Sequence, residues 1–123
     1  MSFYVTAGSW YNKKSKEVKV YYDKIEVMNP KDNSIQYTNT YEELLGITKS
    51  LRIGSKQFIV HFKTRADEEW LADRRDEMIV AIAEKFRAQL DKGCHIFGVS
   101  SPNLVDYLTT DKDLLRKICK MPN

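Results

Sequence analysis

Cysteine, proline and glycine are all scarce in this chain of 123 residues, at two, three and five copies. Cys94 and Cys119 are too few for a disulfide framework, so buried or reduced thiols in a reducing compartment are expected. No Pro/Gly-rich linker, low-complexity stretch or internal repeat breaks the chain, which predicts one domain. No apolar run approaches the ~20 residues that cross a bilayer. The start, Met1-Ser2-Phe3-Tyr4, lacks a basic region followed by an apolar one, and residue 2 is not glycine. Neither a signal peptide nor a myristoyl anchor is therefore expected. Cytoplasmic residence is the expectation, with any membrane contact peripheral.

Catalytic motifs are missing too. There is no GxxxxGK[ST], GxGxxG after a strand, GxSxG, HExxH or CxxC. Histidine occurs only as His61 and His95. His61 lies in a strand, on the face opposite Val60 and Phe62, and reads as a satisfied or partly exposed strand histidine. Cys94 and His95 are adjacent, so in a strand they point to opposite faces and form no dyad. The spacing of His61, Cys94, His95 and Cys119 matches no zinc finger. No enzyme, metal or cofactor is expected. Nucleic acid is not expected either, since it would want a denser basic stripe or a stacking platform.

What is present is alternation. Phe3–Thr6, Glu17–Tyr22, Ile25–Met28, Ser34–Thr38, the second half of Tyr41–Ile47, Gln57–Lys63 and Thr64–Leu71 read as strands. Glu42 to Leu45 could instead make a helical turn. Asn29-Pro30-Lys31-Asp32-Asn33 is turn chemistry, and Thr48 to Ser55 reads as a hairpin. Asp73 predicts a helix N-cap, and Met78, Ile79, Ile82, Phe86 and Leu90 follow at helical spacing, so an amphipathic helix over Asp73–Leu90 is expected, stopped by Lys92-Gly93. Arg74, Arg75, Glu84, Lys85 and Arg87 form its solvated face. Trp70, Tyr41, Tyr37, Phe58 and Phe62 read as core.

Seven strands and then one helix predict an α+β fold: a PH-like antiparallel β-barrel or sandwich capped by a C-terminal amphipathic helix. Residues 1–92 would form this domain. Residues 93–123 would add a strand near Cys94–Val99 and a short helix near Asp111–Lys120, packing on the domain or leading to a next module. The fold hosts lipid, peptide and structural roles, so it does not fix function.

Charge points to a site. Residues 1–66 hold 11 Lys/Arg and 6 Asp/Glu, while residues 67–92 hold 5 and 8. In the predicted loop 10–16, Trp10 and Tyr11 stand beside Lys13, Lys14 and Lys16. Ammonium groups attract anionic headgroups, and amphipathic rings suit a membrane interface. Lys49, Arg52 and Lys56, with Lys63 and Arg65 further along, form a second basic group. If the hairpin folded toward the same open end, both groups would make one basic rim.

Ser9-Trp10 before a basic loop, Asn29-Pro30 in a turn, Phe58-Ile59-Val60-His61-Phe62 and Arg75-Asp76-Glu77 opening the last helix resemble a known family. They are similar, over roughly residues 3–92, to N-terminal PH-like modules of large endosomal DnaJ-type co-chaperones, the receptor-mediated-endocytosis class with its plant gravitropism relatives. That resemblance implies binding of phosphatidylinositol 3-phosphate on early endosomes through a basic residue, a Trp and an aromatic of the first loop. Trp10 matches. Ala7 stands where the family has the basic residue, Lys14 stands where it has the later aromatic, and no His-Pro-Asp motif is present.

The sequence thus predicts a non-enzymatic membrane-targeting or adaptor module. It would bind anionic phosphoinositides through Trp10, Tyr11, Lys13, Lys14, Lys16, Lys49 and Arg52, as a monomeric domain that is peripheral on endosomes. The alternatives are a protein-interaction module, taking a peptide between helix Asp73–Leu90 and a neighbouring strand, and a structural module of an endosomal or cytoskeletal scaffold.

Overall fold

The computed structural model describes residues 1–7, 13–94, 96–101 and 104–106. The strands are β1 (Ser2–Ala7), β2 (Lys14–Val20), β3 (Lys24–Met28), β4 (Ile35–Thr40), β5 (Leu44–Ser50), β6 (Gln57–Phe62) and β7 (Glu68–Leu71). Helix α1 (Arg75–Leu90) follows, then β8 (Ile96–Ser101) and β9 (Leu104–Asp106). The strands form one sheet in the order β4-β3-β2-β1-β7-β6-β5-β8-β9. The first seven pair antiparallel and curl into a half-barrel, followed by the helix.

Alternation in the sequence becomes the two faces of this sheet. Phe3, Val5, Val18, Val20, Ile25 and Val27 fill the concave side from β1 to β3. Phe58, Val60, Phe62 and Trp70 fill it from β6 and β7, with Phe58 edge-on to Trp70 at 5.6 Å between ring centres. Met78, Ile79, Ala81, Ile82 and Phe86 of α1 close over them. A 3-10 turn, Tyr41–Glu43, links β4 to β5, so the helical-turn alternative for Glu42–Leu45 is realised at Glu42 and Glu43, and strand begins at Leu44. Tyr41 is buried there and its hydroxyl donates to the Tyr21 carbonyl at 2.5 Å.

Several boundaries differ from the sequence reading. The hairpin between β5 and β6 spans only 51–56 and turns at Gly54, whose φ is +78°. The stretch from Thr64 to Asp67 is irregular, and β7 starts at Glu68. Asp73 caps nothing: α1 starts at Arg75, and the Asp73 carboxylate meets Lys56 Nζ at 2.7 Å. That contact, a hydrogen bond and an attraction together, holds the Asp73 carboxyl below its ordinary range. Arg75 does not face solvent, because its Nη1 donates to the carbonyls of Ser50 and Gln57 at 2.7 and 3.2 Å. The helix ends at Leu90 because Asp91 turns left-handed, at φ 50°, before Gly93 is reached. The helix expected near Asp111–Lys120 lies outside the described residues.

Candidate functional site

Strand directions decide which loops share an end. β1 and β3 both run antiparallel to β2, and β1 and β6 both run antiparallel to β7. The connections leaving β1, β3 and β6 therefore emerge together at the open end of the half-barrel. The β5–β6 hairpin enters β6 and so lies at the opposite end. Residues 13–16, 29–34 and 63–68 bring six cations to the open end: Lys13, Lys14, Lys16, Lys31, Lys63 and Arg65. Asp32, Asp67 and Glu68 are the carboxylates there.

Lys14 and Lys16 belong to β2 rather than to a loop. They share the face of Val18 and Val20, and stand opposite Ala7 and Val5 of β1, all four buried. The concave side of the sheet thus changes along β2 from apolar to cationic as it reaches the open end. Lys16 is half-buried, with Nζ 5.8 Å from the centre of the Tyr37 ring on β4. The Arg65 guanidinium carbon is 3.4 Å from the same ring and 5.2 Å from that of Phe62. Arg65 also donates to Asn39 Oδ1 at 3.2 Å and pairs with Glu68 at 3.4 Å. Burial pushes the Tyr37 phenol well above its usual range, and the Glu68 carboxylate adds to that while Arg65 opposes it. Tyr37 is therefore a neutral aromatic floor under two cations.

Among the described residues, Lys13, Lys14, Lys16, Lys31 and Lys63 make no ion pair. The Asp32 carboxyl, lowered first by a hydrogen bond from the Ser34 hydroxyl, is held inside its own turn. Trp10 and Tyr11 lie outside the described residues.

Lys49 and Arg52 are not gathered into this cluster. Lys14, Ala7, Trp70, Phe58 and Lys49 are register partners across β2, β1, β7, β6 and β5. Four strand steps of about 4.8 Å separate Lys14 from Lys49 by about 19 Å along the sheet. Lys49 Nζ is 3.8 Å from Asp76, and Lys56 takes Asp73, both beside the start of α1. Arg52 is exposed in the distant hairpin. A cleft of about 390 Å³ at that end is lined by Lys56, Arg74 and Arg75 but equally by Asp73, Asp76 and Glu77, so its charge cancels. The second basic group therefore divides. Lys63 and Arg65 reach the open end, and Lys49, Arg52 and Lys56 do not. Lys31 joins the open end unanticipated, and Tyr37, expected in the core, packs against it only partly buried.

A second polar group lies on the convex face of β5 and β6. His61 Nε2 is 2.6 Å from Thr48 Oγ1, and His61 Nδ1 is 2.8 Å from Asp67 Oδ2. A hydroxyl, imidazole and carboxylate in line are the parts of a nucleophile relay. Thr48 and His61 are only 7% and 4% exposed, which gives a substrate no approach to the hydroxyl. The line instead satisfies a buried histidine. No three His, Cys, Asp or Glu side chains gather as metal ligands among the described residues. Within them, no helix is long and apolar enough to cross a membrane.

No family model and no curated protein matches the sequence. Solved structures do match. The solution structure of a pleckstrin homology domain is 20% identical, covering 77% of this chain and 91% of that one, with a TM-score of 0.59. The PH domain of human oxysterol-binding protein-related protein 11 is 9% identical, covering 74% and 82%, with a TM-score of 0.60. The DH/PH fragment of PDZRHOGEF in complex with human RhoA is 13% identical at a TM-score of 0.59; 72% of this chain aligns to 28% of that one. At such identities the likeness shows the fold and does not single out the co-chaperone module. Seven antiparallel strands curled around a core, a following helix and these neighbours together establish that the chain has the PH-like fold.

Proposed function

We propose that the open end of the half-barrel binds anionic phosphoinositide headgroups and so brings the module to a membrane surface without catalysis. The observation that carries this reading is the placement of Lys14 and Lys16. Both are on the concave face at the mouth, Lys16 lies beside the Tyr37–Arg65 stack, and neither meets a carboxylate among the described residues. Lys13, Lys31 and Lys63 extend the positive field around the mouth, where a phosphate would exchange water for several ammonium donors. Lys49 and Arg52, on the far side, have no part in headgroup contact. Trp10 and Tyr11 would add interfacial anchorage from the 8–12 segment. The family resemblance suggests phosphatidylinositol 3-phosphate and an endosomal surface.

The test is co-sedimentation with liposomes carrying phosphatidylinositol 3-phosphate, other phosphoinositides or phosphatidylserine, at two salt concentrations. At about 1 kcal/mol for each cation near an anionic surface, changing Lys13, Lys14 and Lys16 together to Ala should weaken binding on the order of 100-fold. Selective binding lost in the triple variant supports the reading. Equal binding to every anionic liposome, abolished by salt, reduces it to unspecific attraction. No binding rejects it.

A further inference from the structure

The turn between β3 and β4 brings to the open end an apolar residue that the core does not use. Ile35 is the first residue of β4 and pairs with Met28, the last of β3, so it stands at the open rim beside residues 29–34. Met28 is buried, whereas Ile35 is 55% exposed. The other exposed large apolar side chains among the described residues lie elsewhere. Met1, Tyr21, Tyr22, Leu51 and Ile53 belong to the opposite end, Tyr4 to the middle of β1 and Val80 to α1.

The turn that presents Ile35 is fixed by its own hydrogen bonds. The Asn29 N–H donates to the Ser34 carbonyl at 2.9 Å, and the Asn33 N–H to the Asn29 carbonyl at 2.8 Å. Asn29 Oδ1 accepts from the Lys31 N–H at 3.0 Å. Asp32 Oδ1 accepts from the Ser34 N–H and hydroxyl at 2.9 and 2.7 Å. Asn33 supplies the left-handed backbone, at φ 59°. A preordered turn holds its apolar residue in place without a further ordering cost on binding. Lys31 and Asp32 leave residues 29–35 with no net charge. The turn therefore meets an anionic surface through its apolar residue, while Lys13, Lys14 and Lys16 meet it through charge.

We propose that Ile35 inserts into the membrane: as the open end docks on an anionic bilayer, the β3–β4 turn carries Ile35 past the headgroups into the hydrocarbon boundary. This rests on the membrane reading of the cationic mouth and adds an orientation to it, with the β3–β4 turn against the bilayer and the β5–β6 hairpin in water. The two contributions separate with salt. Salt screens the lysines, and it leaves the transfer of apolar surface out of water in place.

The experiment places the environment-sensitive fluorophore nitrobenzoxadiazole on Ile35→Cys, or on Ile53→Cys at the opposite end, in the full chain carrying Cys94→Ala and Cys119→Ala. The vesicles contain phosphatidylcholine, phosphatidylserine and phosphatidylinositol 3-phosphate. On binding, the label at position 35 should brighten several-fold and be quenched by nitroxides on the acyl chains, and the label at position 53 should do neither. A second measurement keeps both cysteines. Ile35→Ser should weaken co-sedimentation about 10-fold at low and at high salt, for burial of roughly half an isoleucine side chain, while Ile53→Ser binds like the unaltered chain. Ile35 is outside the core cluster, so this variant keeps the packing of the fold. Vesicle binding with the label at 35 still in water, labels at 35 and 53 that respond alike, or Ile35→Ser that binds as tightly as the unaltered chain would each overturn the insertion and leave the headgroup reading standing. An unaltered chain that does not sediment with these vesicles overturns both.

Discussion

His61 sits in the strand with the clearest apolar pattern of the chain, yet it is buried as deeply as the phenylalanine beside it. Its two ring nitrogens are engaged by Thr48 and Asp67, residues 13 and 6 positions away. Changing His61 to Leu would keep the volume and remove both ring-nitrogen contacts from a buried polar line, so a loss of about 1–3 kcal/mol in urea unfolding is expected. A loss under 0.5 kcal/mol would mean the line contributes little. The alternation placed His61 opposite Val60 and Phe62, but a partner that arrives from the β6–β7 connection leaves no mark on local sequence. Cys94 behaves differently. Burial pushes its thiol from 9.0 to about 11. Below pH 9 the folded and unfolded chains both hold this proton. Between pH 9 and 11 the unfolded chain releases it first, so stability falls as pH rises, by up to roughly 2–3 kcal/mol. Cys94→Ala should remove that slope from the alkaline stability curve, and an unchanged slope would assign it to other groups.

Helix α1 shows what its sequence could and could not disclose. The spacing of Met78, Ile79, Ile82 and Phe86 predicted the face that packs on the sheet, and those four residues are buried. Its ends were less legible because each depends on a contact or a backbone angle outside the pattern. Asp73 has the chemistry of an N-cap but is drawn to Lys56 across the β5–β6 hairpin. Asp91 ends the helix with a left-handed backbone and donates its N–H to the Arg87 carbonyl at 2.8 Å. A side chain there carries a steric cost that glycine lacks, so Asp91→Gly should stabilise the fold by about 1 kcal/mol. Thermal unfolding checks this, and a lower melting temperature would contradict it. Strand β2 was read as Glu17–Tyr22 but spans Lys14–Val20, so the reading ran on into Tyr21 and Tyr22 and missed the first three residues for a related reason. Lys14, Ser15 and Lys16 offer no apolar residue to mark a strand, although Lys14 and Lys16 continue the two-residue period of Val18 and Val20. Extending that period backwards would have put both lysines on the concave face.

At the scale of the whole molecule, the order of strands and helix was legible because each element carries its own period, and the curl of the sheet follows from that order. What local pattern lacked was the meeting of distant segments: β6–β7 cations with β2, and β8 with β5. Lys13, Lys14 and Lys16 of the first basic group and Lys49, Arg52 and Lys56 of the second consequently look alike in composition but occupy opposite ends of the half-barrel. The account's central claim is that position at the open end, and not total charge, makes the anion site. The most direct test compares Lys14→Ala/Lys16→Ala with Lys49→Ala/Arg52→Ala, which remove the same charge, in co-sedimentation with phosphoinositide liposomes at physiological salt. The account predicts a loss on the order of 10-fold or more for the first pair, at about 1 kcal/mol per lysine, with the second pair binding like the unaltered chain. Equal losses for both pairs, or none for the first, would contradict it.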